Sequence, residues 1–77
     1  MGTEHLGSDM TKRERVSPAR FTYLLNEELV SSKEFREGMI FMGNCDGYQF
    51  IAPGMTAIDR AGLDKLIYDR VVVRYTI

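Results

Sequence analysis

Cysteine, histidine and aspartate are the residue types in this chain that could support catalysis. Cys45 and His5 are each the only residue of their type in the 77-residue sequence. A thiol nucleophile needs a base within hydrogen-bonding distance, and we expect His5 to lie in a flexible arm that cannot hold that geometry. Asp59, Asp64 and Asp69 recur every five residues, which spreads them around a helix by about 140° per step. The sequence therefore predicts a non-enzymatic protein with no metal site and no cofactor.

Basic residues are concentrated before and within the first apolar segment. Residues 12–20 include four basic residues, Lys12, Arg13, Arg15 and Arg20, and one acidic residue, Glu14. Such a segment can contact phosphates or an acidic protein face, or it can serve only to keep the chain soluble. The whole chain carries 10 basic and 11 acidic residues, a net charge of −1. Binding of polyanions by bulk charge is therefore excluded.

The stretch "DGYQFI", residues 46–51, places two aromatic rings, Tyr48 and Phe50, two positions apart after an Asp-Gly corner. It resembles the aromatic strand motif of RNA-recognition motifs and cold-shock domains, whose rings stack on nucleobases. The motif departs from that pattern at Asp46, where a basic residue is usual, and at Gln49, where a small residue is usual. The resemblance implies a module that binds RNA or single-stranded DNA through Tyr48 and Phe50. The alternative, which we expect, is that both rings pack in the core.

Hydrophobic periodicity predicts the first elements of the fold. Ser17 and Pro18 suit the start of a helix. An apolar stripe follows at spacings of three and four: Phe21, Leu24, Leu25 and Leu29. Because Ser31 and Glu34 fit a capping box, a short second helix, or a kinked continuation of the first, is predicted over residues 32–37.

Two strands and a further helix are predicted next. Asp46-Gly47 between two apolar runs favours a hairpin. The strand "MIFMG" is apolar on both faces and should lie inside the sheet. A helix is predicted from Thr56 to about residue 68, with Gly62 as its weak point. The final stretch "VVVRYTI" alternates in the manner of a strand.

The predicted fold is α+β: a small, mostly antiparallel three-stranded sheet with two or three helices packed on one face, in the order α-(α)-β-β-α-β. We expect residues 1–15 to form a flexible, disordered arm, because they lack periodicity. Residues 16–77 then form a single domain. About 60 residues make a marginal core, and a lone cysteine excludes an intrachain disulfide, so we expect a homodimer.

The final strand, residues 71–77, is the expected dimer contact. Val72, Arg74 and Thr76 share one of its faces, and the open edge of a terminal strand invites pairing with a second copy. The predicted function is that of a small regulatory or adaptor protein that binds another protein. The alternative is a single-stranded nucleic-acid-binding module, with Lys12, Arg13, Arg15 and Arg20 on phosphates. No apolar run approaches the roughly 20 residues of a membrane span, and no secretory signal is visible. We therefore expect no membrane partner and a cytoplasmic location.

Overall fold

The computed structural model describes residues 13–44 and 47–77. Its elements are, in chain order, β1 (Glu14–Arg15), α1 (Pro18–Ser31), β2 (Ile40–Asn44), β3 (Gly47–Ile51), α2 (Ala57–Val72) and β4 (Tyr75–Thr76). Within these residues the fold is α+β, with two helices, an antiparallel pair β2–β3 and a separate parallel pair β1–β4. No helix in the described part of the chain has both the length and the apolar character needed to cross a membrane.

The first helix, α1, forms as the sequence predicts. Ser17 Oγ accepts a hydrogen bond from the Arg20 N–H at 3.1 Å, which satisfies one of the free amides at the start of the helix. Pro18 occupies the first turn. A main-chain N–H there would have no partner within the helix, so the missing N–H of proline costs nothing. The helix buries the whole predicted stripe: Phe21, Leu24, Leu25 and Leu29.

The predicted hairpin and the helix after it are also confirmed. β2 and β3 pair in register from Ile40 opposite Ile51 to Asn44 opposite Gly47. Residues 45 and 46, which connect the two strands, lie outside the described residues. α2 begins after Thr56, whose Oγ1 accepts a hydrogen bond from the Asp59 N–H at 3.1 Å. The helix continues through Gly62 and past residue 68.

The core lies between the hairpin and the two helices. The rings of Phe41 and Phe50, which face each other across β2 and β3, stack with centroids 4.5 Å apart. Gly43 permits close approach of α1, because a Cβ at that position would lie 3.3 Å from Thr22 Oγ1. The buried apolar residues are Phe21, Leu24, Leu25, Leu29, Met39, Phe41, Phe50, Ala52, Leu63, Ile67 and Val71.

The side chain of Asn26 in α1 joins the helix layer to the main chain of the hairpin. Its Nδ2 donates to the Phe41 carbonyl oxygen at 2.9 Å, and its Oδ1 accepts from the Phe41 N–H at 2.8 Å. Phe41 is buried, and an unpaired main-chain group there would cost about 1–3 kcal/mol. The contact also closes the outer edge of β2 at this residue, where a further strand would otherwise pair.

The predicted strand over residues 71–77 is wrong, and so is the three-stranded sheet that it would complete. α2 includes the first two valines of this stretch, and only Tyr75–Thr76 form a strand, paired with β1. The reason is that Val71 also continues the helical series of Leu63 and Ile67 at intervals of four. Val71 is buried in the core, and that burial outweighs the strand preference of valine.

Two further predictions fail around β2. Residues 32–37 form turns rather than a helix, because the Ser32 N–H and hydroxyl both donate to the Leu29 carbonyl oxygen and end α1 there. The prediction that β2 lies inside a sheet is also wrong, since β2 pairs only with β3. Ile40 and Met42 are therefore 43% and 51% exposed on the outer face of the hairpin.

The end of the predicted flexible arm, residues 1–15, contains β1. The Val16 N–H donates to the Thr76 carbonyl oxygen at 2.7 Å. The Arg13 guanidinium donates to the Val72 carbonyl oxygen at 2.8 Å. These bonds hold the start of the domain against its C-terminal residues. The remainder of the predicted arm lies outside the described residues.

Replacement of Gly62 by alanine should stabilise the protein. A Cβ at Gly62 would meet no atom within 4 Å, and alanine reduces the freedom of the unfolded chain. We expect the free energy of unfolding to rise by about 0.5–1 kcal/mol, measured by urea unfolding. The control Gly54→Ala should lower it, because Gly54 has φ +83°. A Gly62→Ala variant no more stable than the parent would contradict this helical environment.

Replacement of Asn26 by alanine should destabilise the protein by about 2–3 kcal/mol, because both main-chain groups of Phe41 would lose their partner. Urea unfolding measures the loss. Val30→Ala is the matched control, since Val30 lies one turn further along α1 and is 60% exposed. Equal losses for the two variants would show that the Asn26 contact contributes nothing specific.

Candidate functional site: the open edge of β3

The Asn26 contact shows which main-chain groups of the hairpin face outwards. In an antiparallel pair, opposite residues alternate between exchanging two hydrogen bonds and exchanging none. Phe41 gives both of its main-chain groups to Asn26, so Phe41 and Phe50 form a pair of the second kind. By the same alternation, the N–H and C=O of Tyr48, two residues along, also point away from β2. β3 therefore presents the main-chain groups of Tyr48 and Phe50 on its outer edge.

No described residue pairs with this edge. No hydrogen bond within the described ranges reaches the outward main-chain groups of Tyr48 and Phe50. The other two strands of this part of the chain, β1 and β4, pair with each other. The edge is therefore free to accept hydrogen bonds from, and donate them to, a further strand.

A cleft of about 610 Å³ runs between the edge of β3 and α2. Residues 48–53 form one wall, and Ala57, Arg60, Ala61 and Asp64 form the other. The side chains of Ala57 and Ala61 are short, so the helix wall leaves room beside β3 for a further segment of chain. The cleft thus combines a free strand edge with space along it.

Two charged side chains of α2 lie on the helix wall of the cleft. Arg60 forms no side-chain hydrogen bond or ion pair with another described residue. Asp64 Oδ1 accepts a hydrogen bond from the Tyr48 hydroxyl at 2.9 Å. Arg60 therefore offers a ligand a guanidinium with no side-chain partner among the described residues, and guanidinium groups pair well with carboxylates.

The aromatic rings of β3 face inwards. Phe50 is buried. Tyr48 is half-buried, lies edge-on to Phe41 with centroids 5.4 Å apart, and stacks with Tyr68 at 6.3 Å. The two rings therefore pack as the core alternative describes. They do not form the exposed platform that the resemblance to RNA-recognition motifs and cold-shock domains implies.

The environment of Tyr48 keeps its hydroxyl protonated. Burial and the hydrogen bond to Asp64 raise the pKa of Tyr48 well above its ordinary value of 10.0. The neutral phenol is therefore a donor to Asp64 throughout the physiological range. Within residues 13–44 and 47–77, no group of three or more His, Cys, Asp or Glu could hold a metal ion. His5 and Cys45 lie outside the described residues.

The basic residues predicted to contact a partner do not converge on the cleft. Arg13 donates to a main-chain carbonyl of α2. The Arg20 guanidinium lies over the Tyr23 ring, 4.8 Å from its centroid. Arg15 is exposed in β1, and Lys12 lies outside the described residues.

The residues predicted to form a dimer strand are also separated. Val72 ends α2. Arg74 Nη2 lies 3.7 Å from Glu28 Oε1. The main chain of Thr76 accepts the hydrogen bond from Val16, so β1 occupies one edge of this strand. The C-terminal residues therefore do not present the long open strand that the sequence predicts.

Sequence reasoning missed Asn26, Arg60 and Ala61. The one available indication was Asn26 itself, because asparagine is a poor helix former in the middle of a helix and often marks a specific hydrogen bond. Nothing in the sequence distinguishes Arg60 and Ala61 from other surface residues of a helix.

Comparison of the chain with models of known protein families, with curated proteins and with solved structures finds no match in any of the three. The function is therefore inferred from the geometry of the chain itself.

The stability of the protein should fall at alkaline pH through Tyr48. Above its ordinary pKa of 10.0, the unfolded chain releases this proton before the folded chain does, so the folded state binds more protons. Stability then decreases as pH rises. Tyr48→Phe should be less stable at pH 7 by about 1 kcal/mol, and its stability should decline less between pH 9 and pH 11 (roughly the window set by an ordinary tyrosine pKa).

Urea unfolding at several pH values measures this dependence. Tyr23→Phe is the control, because the Tyr23 hydroxyl donates to Glu27 on the exposed surface of α1, and its loss should change stability less. A Tyr48→Phe variant with the same alkaline slope as the parent would disprove the role of Tyr48.

Proposed function

We propose that the protein is a small non-enzymatic adaptor that binds another protein by accepting an extended segment of it as an additional strand on β3. One observation carries the proposal: the main-chain groups of Tyr48 and Phe50 face a cleft without a partner among the described residues. Strand addition uses such groups for affinity, and it uses the pockets beside them to select alternate side chains.

The geometry of the hairpin supports the proposal. The hairpin packs on the helices through Phe41 and Phe50, and a further strand would add a row of main-chain hydrogen bonds at its open edge. Neighbouring strands lie about 4.8 Å apart, so the added segment would lie in the cleft beside Ala57 and Ala61. Their small side chains set the size of the side chains that the cleft admits.

The charge of the cleft indicates the kind of segment. Asp64 is already bonded to Tyr48, whereas Arg60 is available. An extended segment with an acidic residue opposite Arg60 gains a charge-assisted hydrogen bond, while a basic residue there would be repelled. The partner segment is therefore proposed to be extended and acidic, with small side chains towards α2.

Non-enzymatic action and a cytoplasmic location are parts of the same proposal. Asp59 and Asp69 are exposed on α2, while Asp64 bonds to Tyr48, so the three carboxylates act separately. The single cysteine of the sequence cannot form the intrachain disulfides that are common in small secreted domains. Inward packing of the β3 rings favours protein binding over stacking of nucleobases.

A display library of extended peptides, selected on the folded protein, tests the proposal. Selected peptides should carry an acidic residue, and Ala61→Leu should weaken their binding at least tenfold by filling the cleft. Ala19→Leu is the matched control, because it adds the same side chain to an exposed position of α1. In spectra of ¹⁵N-labelled protein, bound peptide should protect the Tyr48 and Phe50 amides from exchange with solvent.

Three outcomes would contradict the proposal: no peptide is selected, Ala61→Leu leaves affinity unchanged, or the two amides stay unprotected. Single-stranded RNA that binds in competition with the peptide would favour the nucleic-acid alternative instead. Light scattering shows whether a second copy of the protein already occupies the edge of β3. A mass near 8.8 kDa means that the edge is open for another protein. Twice that mass in the parent, together with the monomer mass in Ala61→Leu, would assign the edge to a homodimer.

A further inference from the structure

A second unpartnered surface lies on a different side of α2 from the cleft. It is a groove of about 620 Å³ between α2 and the connection that leads into β2. It is lined by three charged side chains, the acidic Glu34 and Asp59 and the basic Arg36, and by the apolar residues Met39, Met55, Ile58, Gly62, Leu63 and Leu66. These residues define the α2 groove.

The apolar residues of the α2 groove form a stripe of their own. Ile58, Gly62 and Leu66 recur at intervals of four and so share one face of the helix. Ile58 is 84% exposed. The stripe is distinct from the core face of α2, which buries Leu63 and Ile67. Exposed apolar side chains that line one groove indicate a site of interaction.

The main chain around the α2 groove indicates that its occupant is helical. The amides and carbonyls of α2 bond within the helix, and neither hairpin strand borders the groove. An extended segment would find no main-chain partners here, whereas a helix satisfies its own. Gly62 has no Cβ, and the space beside it is open. A second helix can therefore approach α2 closely at this residue, because the distance between packed helices depends on the side chains at their contact.

The charge of the α2 groove indicates that the occupant is basic. Glu34 Oε1 is buried and accepts no hydrogen bond from a described residue. The Arg36 guanidinium, which also lines the groove, forms no ion pair with Glu34; its Nη1 donates to the carbonyl oxygens of Lys33 and Phe35 at 3.2 and 2.9 Å. Glu34 therefore has a carboxylate oxygen without a partner among the described residues, and a cation from a partner protein would complement it.

We propose that the α2 groove binds a basic amphipathic helix of a partner protein. Aliphatic side chains of that helix lie against Ile58 and Leu66, and an arginine or lysine pairs with Glu34. This inference does not depend on the open edge of β3. With both surfaces occupied, the protein would join an extended acidic segment on one side of α2 to a basic helix on the other.

The test is a display library of 18-residue amphipathic helical peptides, with a constant aliphatic stripe and randomised flanking positions, selected on the folded protein. Selected peptides should be enriched in arginine or lysine. Fluorescence anisotropy of one such peptide should show at least tenfold weaker binding to Ile58→Asp. The matched control is Val30→Asp, which places the same charge at another exposed apolar position and should leave affinity unchanged.

Glu34→Gln separates partner binding from a structural role. We expect it to weaken the peptide about fivefold and to reduce the salt dependence of binding. Its melting temperature should equal or exceed that of the parent, because an uncompensated charge is removed. Gly62→Ala should likewise bind more weakly while folding more stably. Ala61→Leu should bind this peptide normally, so the two proposals can fail independently.

The inference is overturned if no helical peptide is selected, or if selected peptides lack basic residues. It is also overturned if Glu34→Gln binds the peptide as tightly as the parent, or if that variant melts at a lower temperature.

Discussion

The two hydrogen bonds between the Asn26 side chain and the main chain of Phe41 are the contact on which the rest of the structure depends. They attach α1 to β2 through a buried residue, where unpaired main-chain groups are costly. They also show that Phe41 and Phe50 form a pair without mutual main-chain hydrogen bonds, from which the alternation along the hairpin follows. The outer edge of β2 is closed at Phe41 by this side chain, and the other edge of the hairpin, on β3, faces a cleft.

α2 borders three different environments, and its sequence shows the consequence. Leu63, Ile67 and Val71 enter the core, Ala57 and Ala61 face the cleft, and Ile58 and Leu66 remain exposed in the α2 groove. A helix that serves only one core has a single apolar stripe. The additional apolar and small residues of α2 lie outside the buried core, which is why both proposals place a partner against this helix.

The helices and the hairpin were predictable because their determinants are local. Ser17 and Thr56 cap helices through neighbouring amides, and an Asp-Gly pair between apolar runs favours a tight turn. The C-terminal stretch was not predictable, because Val71 fits both the alternation of a strand and the four-residue spacing of a helix. Burial beside Leu63 and Ile67 selects the helix. Ile40 and Met42 were predicted to lie inside the sheet because both faces of their strand are apolar. That pattern does not show whether a third strand lies beside β2, and in the described part of the chain none does.

The sequence by itself determined where the chain turns, which stripe of α1 enters the core, and that Tyr48 and Phe50 share a face. Those properties follow from caps, turns and periodicity over a few residues. Only the tertiary structure decided that the rings face inwards and that their main chain is the exposed feature. The rings contact Phe41 and Tyr68, which belong to other elements, and no described strand pairs with the outer edge of β3. Packing between elements leaves no periodic trace in either one, so the open edge of β3 could be found only after the elements were placed.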